Sequence, residues 1–420
     1  MRRALRCIAA AVLSAVVMVG AVGCKGKQES SVQADVQITY GDEGCLSLEA
    51  MLLAHINDGA ALDKTALAEV TELSLYGNGI ISVVCGDVGG TDIENEHELW
   101  TTSNPNHFAA RIGAYYTGSM DGSLSQYYED GISDLSFAAE MEELAELKVV
   151  YNNISDVSVL AGLKKLKSLD ISLNPLTDLS SVIKCTQLTS LNLEGCWIED
   201  HSLLAEMTGL RELNLRYTGM AEDALSYISG LTELVSLSLS GTHISLEPLA
   251  ALKKLERLDL SDTMIVEQDS FEAVKGIKWL NMSDLTFISD YRGISVLTEL
   301  EYLDLSLNDM VVFDLSPLSN MKNLKYLSLS EDYSISDISA LSGLSSLEEL
   351  YAPWCSIEDV TPLMELDKLR SVNLGGCSVK DPTPLKELKQ LEFLHLGLNE
   401  IDESALAALR EALPECDIRA

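Results

Sequence analysis

The sequence predicts an α/β solenoid: a concave parallel β-sheet, short helices and turns on the convex side, a helical N-terminal cap, and one long insertion. Three observations predict it. An eleven-residue apolar pattern recurs every 21 to 24 residues. The stretches between copies are short and open on aspartate. Both ends of the array differ from its middle, as an exposed core requires.

The recurring pattern reads LKSLDISLNPL (166–176), LRELNLRYTGM (210–220), LEYLDLSLNDM (300–310) and LEFLHLGLNEI (391–401), among others. Its central residue falls at Leu147, Leu169, Leu191, Leu213, Leu237, Leu258, Leu280, Leu303, Leu327, Leu350, Val372 and Leu394. An earlier copy, VTELSLYGNGI (70–80), stands apart. Side chains alternate across a strand, so the fourth and sixth positions point inward together. One coil cannot bury its own apolar face, but stacked coils can. The ninth position must turn the chain and satisfy open backbone groups. Asn152, Asn174, Asn308 and Asn399 stand there, as do Thr218, Thr242 and Thr263, and Cys196, Cys355 and Cys377. Those cysteines read as buried structural thiols. The pattern resembles the leucine-rich repeat. Returns such as DVSVLAGL, DVTPLMEL and DPTPLKEL resemble those of internalin-type bacterial repeats, with Asp156, Asp178, Asp337, Asp359 and Asp381 as helix N-caps. The returns DHSLLAEMTGL and AEDALSYISGLTEL read as more fully helical.

The chain divides accordingly. Residues 1–23 carry Arg2, Arg3 and Arg6 and then an apolar run too short to span a bilayer, as in a secretion signal. The run ends Ala21-Val22-Gly23-Cys24, which resembles a bacterial lipobox, although that family prefers leucine where Ala21 stands. The resemblance implies lipidation at Cys24; a plain secretion signal with Cys24 free or paired is the alternative. Residues 24–43 are a polar tether. Residues 44–69 form the helical cap, with Leu48, Met51, Leu52 and Ile56 on one face. Residues 70–80 are the first repeat, 81–131 an insertion, 132–412 the array, and 413–420 a closing cap with Cys416 and Ile418 at strand positions.

The net charge is -36, and loss of the leader's three arginines leaves -39. Such a surface repels nucleic acid. No cofactor is expected, and no motif of a nucleophile, a phosphate loop or a zinc site occurs. In the insertion, Asp92, Glu94, Glu96, His97 and Glu98 could hold a cation, but consecutive ligands lack a metal spacing; a solvated loop is the plainer reading. Tyr115, Tyr116, Tyr127 and Tyr128 are contacts or loop anchors, and Cys45 and Cys85 could pair.

Outward strand residues form columns. The residue before each central leucine is Trp279, Tyr302 and Tyr326 in three consecutive repeats, with Phe393 further on, Tyr351 one column over and Trp354 at the strand's end. Neighbouring strands lie about 4.8 Å apart, so these rings should stack. Exposed aromatic clusters are typical of binding hot spots. The next columns, Asp170, Asn192, Asn214, Asp259, Asn281 and Asp304, then Ser240, Ser261, Ser283, Ser306 and Ser330, read as solvated surfaces suited to a basic patch or a hydroxyl-rich glycan. The expected function is non-enzymatic. It is a monomeric, exported surface protein, membrane-bound only by its N-terminal lipid, that binds a protein or a glycan on its concave face. An envelope scaffold without a ligand, or a metal-dependent hydrolase in the insertion, are the alternatives.

Overall fold

The computed structural model describes residues 67–68, 70–76, 79–85, 132–265, 268–285, 291–308 and 314–420. The leader, Cys24, the tether, nearly all of the cap, Cys45, and residues 86–131 lie outside the described residues. The chain forms two compact units, Met1–Glu199 and Asp200–Ala420.

In the first unit the strands are β1 (Val70–Tyr76), β2 (Gly79–Cys85), β3 (Glu146–Val150), β4 (Ser168–Asp170) and β5 (Ser190–Asn192). β1, β3, β4 and β5 run parallel, with Leu73, Leu147, Leu169 and Leu191 side by side. β2 pairs antiparallel with β1. The boundary expected after residue 80 therefore falls inside a strand: the segment leaves the first repeat as a hairpin rather than a loop.

The second unit has β6 (Glu212–Asn214), β7 (Ser236–Ser238), β8 (His243–Ile244), β9 (Arg257–Asp259), β10 (Met264–Ile265), β11 (Trp279–Asn281), β12 (Tyr302–Asp304), β13 (Tyr326–Ser328), β14 (Glu349–Tyr351), β15 (Ser371–Asn373), β16 (Phe393–His395) and β17 (Asp417–Arg419). All but β8 and β10 form one parallel sheet, and those two pair with each other. Apart from the two-residue β8 and β10, each of these strands is three residues, one inward apolar residue between two outward neighbours, before the turn begins. β17 follows helix α1 (Glu403–Ala412), whose Leu406 and Leu409 are buried, and it sets Ile418 beside Leu394. This is a leucine-rich-repeat solenoid, as the spacing predicts.

Most returns are 3-10 turns; of the two that read as more helical in the sequence, His201–Glu206 is a 3-10 turn, while the other carries a short α-helix, Leu225–Ile228, after a 3-10 turn at Glu222–Ala224. A repeat of this length leaves a return of only three to seven residues, and the tighter 3-10 winding fills it. Pro248, Pro317, Pro362 and Pro384 fit the first turn, where no N–H is required. The capping aspartates act one step earlier than expected. Asp156, Asp178, Asp337, Asp359 and Asp381 each accept the N–H two residues on, before or at the start of the turn. Asp200 is itself the N-cap of its turn, and its side chain accepts from Ser202 N.

The ninth-position side chains close the backbone. Asn308 is buried; its Oδ1 accepts from Leu285 N at 2.7 Å and its Nδ2 donates to Met282 O and Leu305 O. Asn174 does the same one unit earlier. Thr218, Thr242 and Thr263 donate to the carbonyl three residues back. Cys196, Cys355 and Cys377 are buried thiols whose Sγ donates to Ile171, Leu329 and Ala352 carbonyls of the preceding coil. Burial pushes the Cys196 thiol up to about 12, which keeps it protonated and inert.

Asn308→Ala orphans two carbonyls and one N–H at once; it should cost about 2–4 kcal/mol in urea unfolding, centred on the adjacent coils. The exposed aspartates set the acid limit. Asp156, Asp314 and Asp337 are held below 3.8 chiefly by the backbone bond, and Asp178 and Asp381 chiefly by the hydroxyl bond. Their stabilisation is present above 3.8 and is lost as pH falls through the lower folded values. Burial raises Asp170 and Asp304, which opposes this trend. The thermal midpoint should fall as pH drops from about 4 to about 2, less steeply in Asp337→Asn.

Candidate functional site

Strand register builds the site. In the second unit Arg257, Trp279, Tyr302, Tyr326 and Glu349 are direct cross-strand neighbours on β9, β11, β12, β13 and β14. Strand spacing close to the thickness of an aromatic contact forces consecutive rings to lie face to face. Trp279 and Tyr302 have ring centroids 4.8 Å apart at 13°, and Tyr302 and Tyr326 are 4.3 Å apart at 4°. Tyr351, although one column over, leans back onto Tyr326 at 5.6 Å and 29°. The free face of Trp279 is covered by the Arg257 guanidinium, 4.5 Å from the ring. The result is a five-member stack, half-buried throughout.

Mutual covering has chemical consequences. The interior rings offer no open face. Their edges and phenolic hydroxyls are what remain to contact anything. Burial, with the Asp304 charge behind it, pushes the Tyr302 and Tyr326 phenols well above their ordinary range, so both stay protonated donors. Burial likewise lowers the Arg257 guanidinium, but far too little at neutral pH to discharge an arginine.

Two of the expected site residues lie elsewhere. Phe393 is separated from Tyr326 by Glu349 and Ser371 and sits under the Arg419 guanidinium at 5.0 Å. Trp354 lies in the turn after β14, at φ 62. It belongs to a row in which Tyr217, Asp262, Asp284, Leu307, Glu331 and Leu398 share the left-handed conformation.

The polar columns are not the solvated surfaces the sequence suggests. Asp170, Asn192, Asn214, Asp259, Asn281 and Asp304 each turn their Oδ1 onto the N–H two residues ahead. Ser240, Ser261 and Ser306 are buried, and Ser261 Oγ donates to Ser240 Oγ at 3.1 Å. These columns hold the turn; they are not set out for a partner. The reason is the tightness of the bend, which leaves backbone donors that short polar side chains must satisfy.

Beside the stack runs a row that the leucine spacing does not single out. It reads Glu256, Lys278, Glu301, Lys325, Glu348, Arg370 and Glu392, alternating in sign over seven successive coils. Lys278 meets Glu256 at 2.9 Å, Lys325 meets Glu301 at 2.5 Å, and Arg370 meets Glu392 at 2.7 Å. Residue signs read at a fixed repeat position would have revealed it. These pairs are exposed, so each contributes little alone. Among the described residues no group of three or more His, Cys, Asp or Glu converges as a metal site. The acidic run from Asp92 to Glu98 lies outside the described residues. Among the described residues no helix is long and apolar enough to cross a membrane.

Family profiles described as leucine-rich repeat match residues 297–357, and residues 162–179 and 184–205. No curated protein matches the chain. Among solved structures, an internalin (inlF) from Listeria monocytogenes is 28% identical with a TM-score of 0.58, over 69% of this chain and 84% of that one. A leucine-rich repeat protein from Leptospira interrogans is 21% identical with a TM-score of 0.57, over 69% and 82%. TLR13, solved in complex with a single-stranded RNA, is 22% identical with a TM-score of 0.51, over 70% and 51%.

An inner ring loses two neighbours and an end ring one. Tyr302→Leu should therefore cost about 1–3 kcal/mol in urea unfolding and Tyr351→Leu about half that, each with loss of near-ultraviolet circular dichroism.

Proposed function

We propose that this leucine-rich repeat chain is a binding protein whose partner is another protein, held on the outward strand face of the second unit around Trp279, Tyr302, Tyr326 and Tyr351. The observation that carries the reading is the stack itself. Four rings and an arginine interrupt columns that are otherwise short and polar, and they are rigid before any partner arrives. A pre-ordered aromatic surface loses little side-chain entropy on binding. Because the interior ring faces are covered, the partner meets edges and hydroxyl donors. That suits the carbonyls and mixed polar surface of a protein better than the flat face of a sugar.

The alternating row beside the stack is nearly neutral, so the net charge of -36 lies elsewhere on the chain. Charge there discourages nucleic acid, and the RNA of the TLR13 complex belongs to that protein. The chain works without catalysis and as a monomer in this reading. Its leader and Cys24 support export and lipid anchoring at the cell surface, with the solenoid facing outward.

Two experiments test these points. The full-length chain, purified in detergent, is used to capture surface proteins of neighbouring cells, alongside Trp279→Ala/Tyr302→Ala/Tyr326→Ala. A partner held by the parent and lost at least tenfold by the triple variant supports the reading, and one held equally by both sinks it. Capture of nothing by either chain favours a scaffold, a role in which the rings serve only each other. For the anchor, growth on an alkyne fatty acid should label the parent and leave Cys24→Ala unlabelled; equal labelling of both would refute lipidation there.

A further inference from the structure

A second aromatic surface, distinct in how it is supported, lies in the turn after β14. Trp354 rests on Gly376 of the next coil. A Cβ placed on that glycine would stand 2.6 Å from Trp354 Cε3, 2.8 Å from Cδ2 and 2.9 Å from Cζ3. Three contiguous ring atoms at nearly equal distance put that point beneath the ring plane, not at its edge. One face of the indole thus lies on bare backbone. The residue is 45% exposed, so the opposite face is the one turned to solvent. Its backbone is anchored as well, with Trp354 N donating to Gly375 O at 2.8 Å.

The surroundings are polar and fixed. A Cβ on Gly375 would stand 2.8 Å from His395 Cε1, so Trp354 and His395 cover consecutive glycines. Asn373 Oδ1 accepts Gly375 N at 3.0 Å and faces His395 Nδ1 at 3.1 Å. An amide oxygen can only accept, so Nδ1 carries the ring proton and Nε2 presents its lone pair. Asn373 Nδ2 is a donor in the same place. Along the turn row, the next side chain beyond Gly376 is Leu398, 78% exposed.

We propose that Trp354 is a stacking platform for one pyranose ring of a neutral glycan, with Asn373 and His395 bonding its hydroxyls. A flat open indole accepts a cation, a nucleobase, an apolar side chain of a protein or the C–H face of a sugar, and the hydroxyl-bonding groups beside this ring suit the sugar better than an apolar side chain. A cation on a single ring as exposed as this one gains only a few-fold in affinity, too little to hold a ligand alone. A nucleic acid is repelled by a chain of net charge -36. A neutral sugar is not repelled, and its hydroxyls match the donor and acceptor beside the ring. This site adjoins the end of the protein-binding stack, because Asn373 pairs with Tyr351 across β14 and β15, but it uses a different ring.

The test is calorimetric titration of the full-length chain with cellohexaose, chitohexaose and mannohexaose, read together with tryptophan fluorescence. At least one of them should bind. Trp354→Ala should weaken that binding about tenfold or more, by analogy with base stacking on aromatic side chains. Trp354→Asn, which accepts left-handed backbone, should lose it equally, and Trp354→Phe should keep part of it. Tyr302→Leu should leave it unchanged. Failure of all three sugars to bind, or binding that survives both Trp354→Ala and Trp354→Asn, overturns the proposal. So does loss of a captured protein partner from Trp354→Ala without any sugar binding, which would make the ring part of the protein interface.

Discussion

Inward leucines such as Leu300, Leu303 and Leu305 are buried only because neighbouring coils lie against them on both sides. No coil closes a core alone, and stacking at strand spacing is the only way to bury them. That spacing then dictates the remainder. It aligns side chains of successive coils into rows, brings backbone donors within reach of the ninth-position Asn, Thr and Cys side chains, and sets aromatic rings at contact distance. The tight bend after each strand has its own cost: Tyr217, Leu307, Glu331, Trp354 and Leu398 all adopt backbone that L-residues disfavour. Each coil tolerates it because the turn N–H finds a carbonyl in the next, as Leu307 N does on Ser330 O and Glu331 N on Pro353 O.

Much of this was legible in the sequence. The leucine period gave strand positions to the residue, and hence the column containing Trp279, Tyr302 and Tyr326. Periodicity fixes neighbours because pairing in a parallel solenoid follows repeat number. It does not fix side-chain direction. Tyr351 was placed one column away yet leans onto Tyr326. Short polar residues on a strand usually face water, so the spacing of the Asp, Asn and Ser columns suggests open surface, whereas the bend draws the Asp304 and Asn281 side chains back onto the backbone. The return His201–Glu206 looked helical from its apolar spacing, but the repeat is too short for an α-helix there. The β2 hairpin has a signal in the sequence, since Gly77-Asn78 between two apolar runs is typical of a two-residue hairpin turn, but the leucine frame masks it by giving Asn78 to the ninth position of the first repeat.

The two aromatic features differ in what they leave uncovered. In the stack, ring faces are spent on one another and on Arg257, so stability and recognition share the same atoms. At Trp354 the supporting atoms are a glycine's backbone, and the outward face takes no part in holding the fold. Rigidity comes from neighbouring rings in the first case and from an absent side chain in the second. Both surfaces are ordered before any ligand arrives, and both lie in the second unit.

The row running from Glu256 to Glu392 carries an implication for how such an array can change length. Each coil there faces opposite charge on either side, so the row has parity. Removing or duplicating one coil within it would set like charges against each other at the junction. Removing or duplicating two would restore the alternation without any compensating change. Growth and shrinkage of this stretch by unequal recombination are therefore easiest in pairs of coils, roughly twice the period that the leucines alone would define.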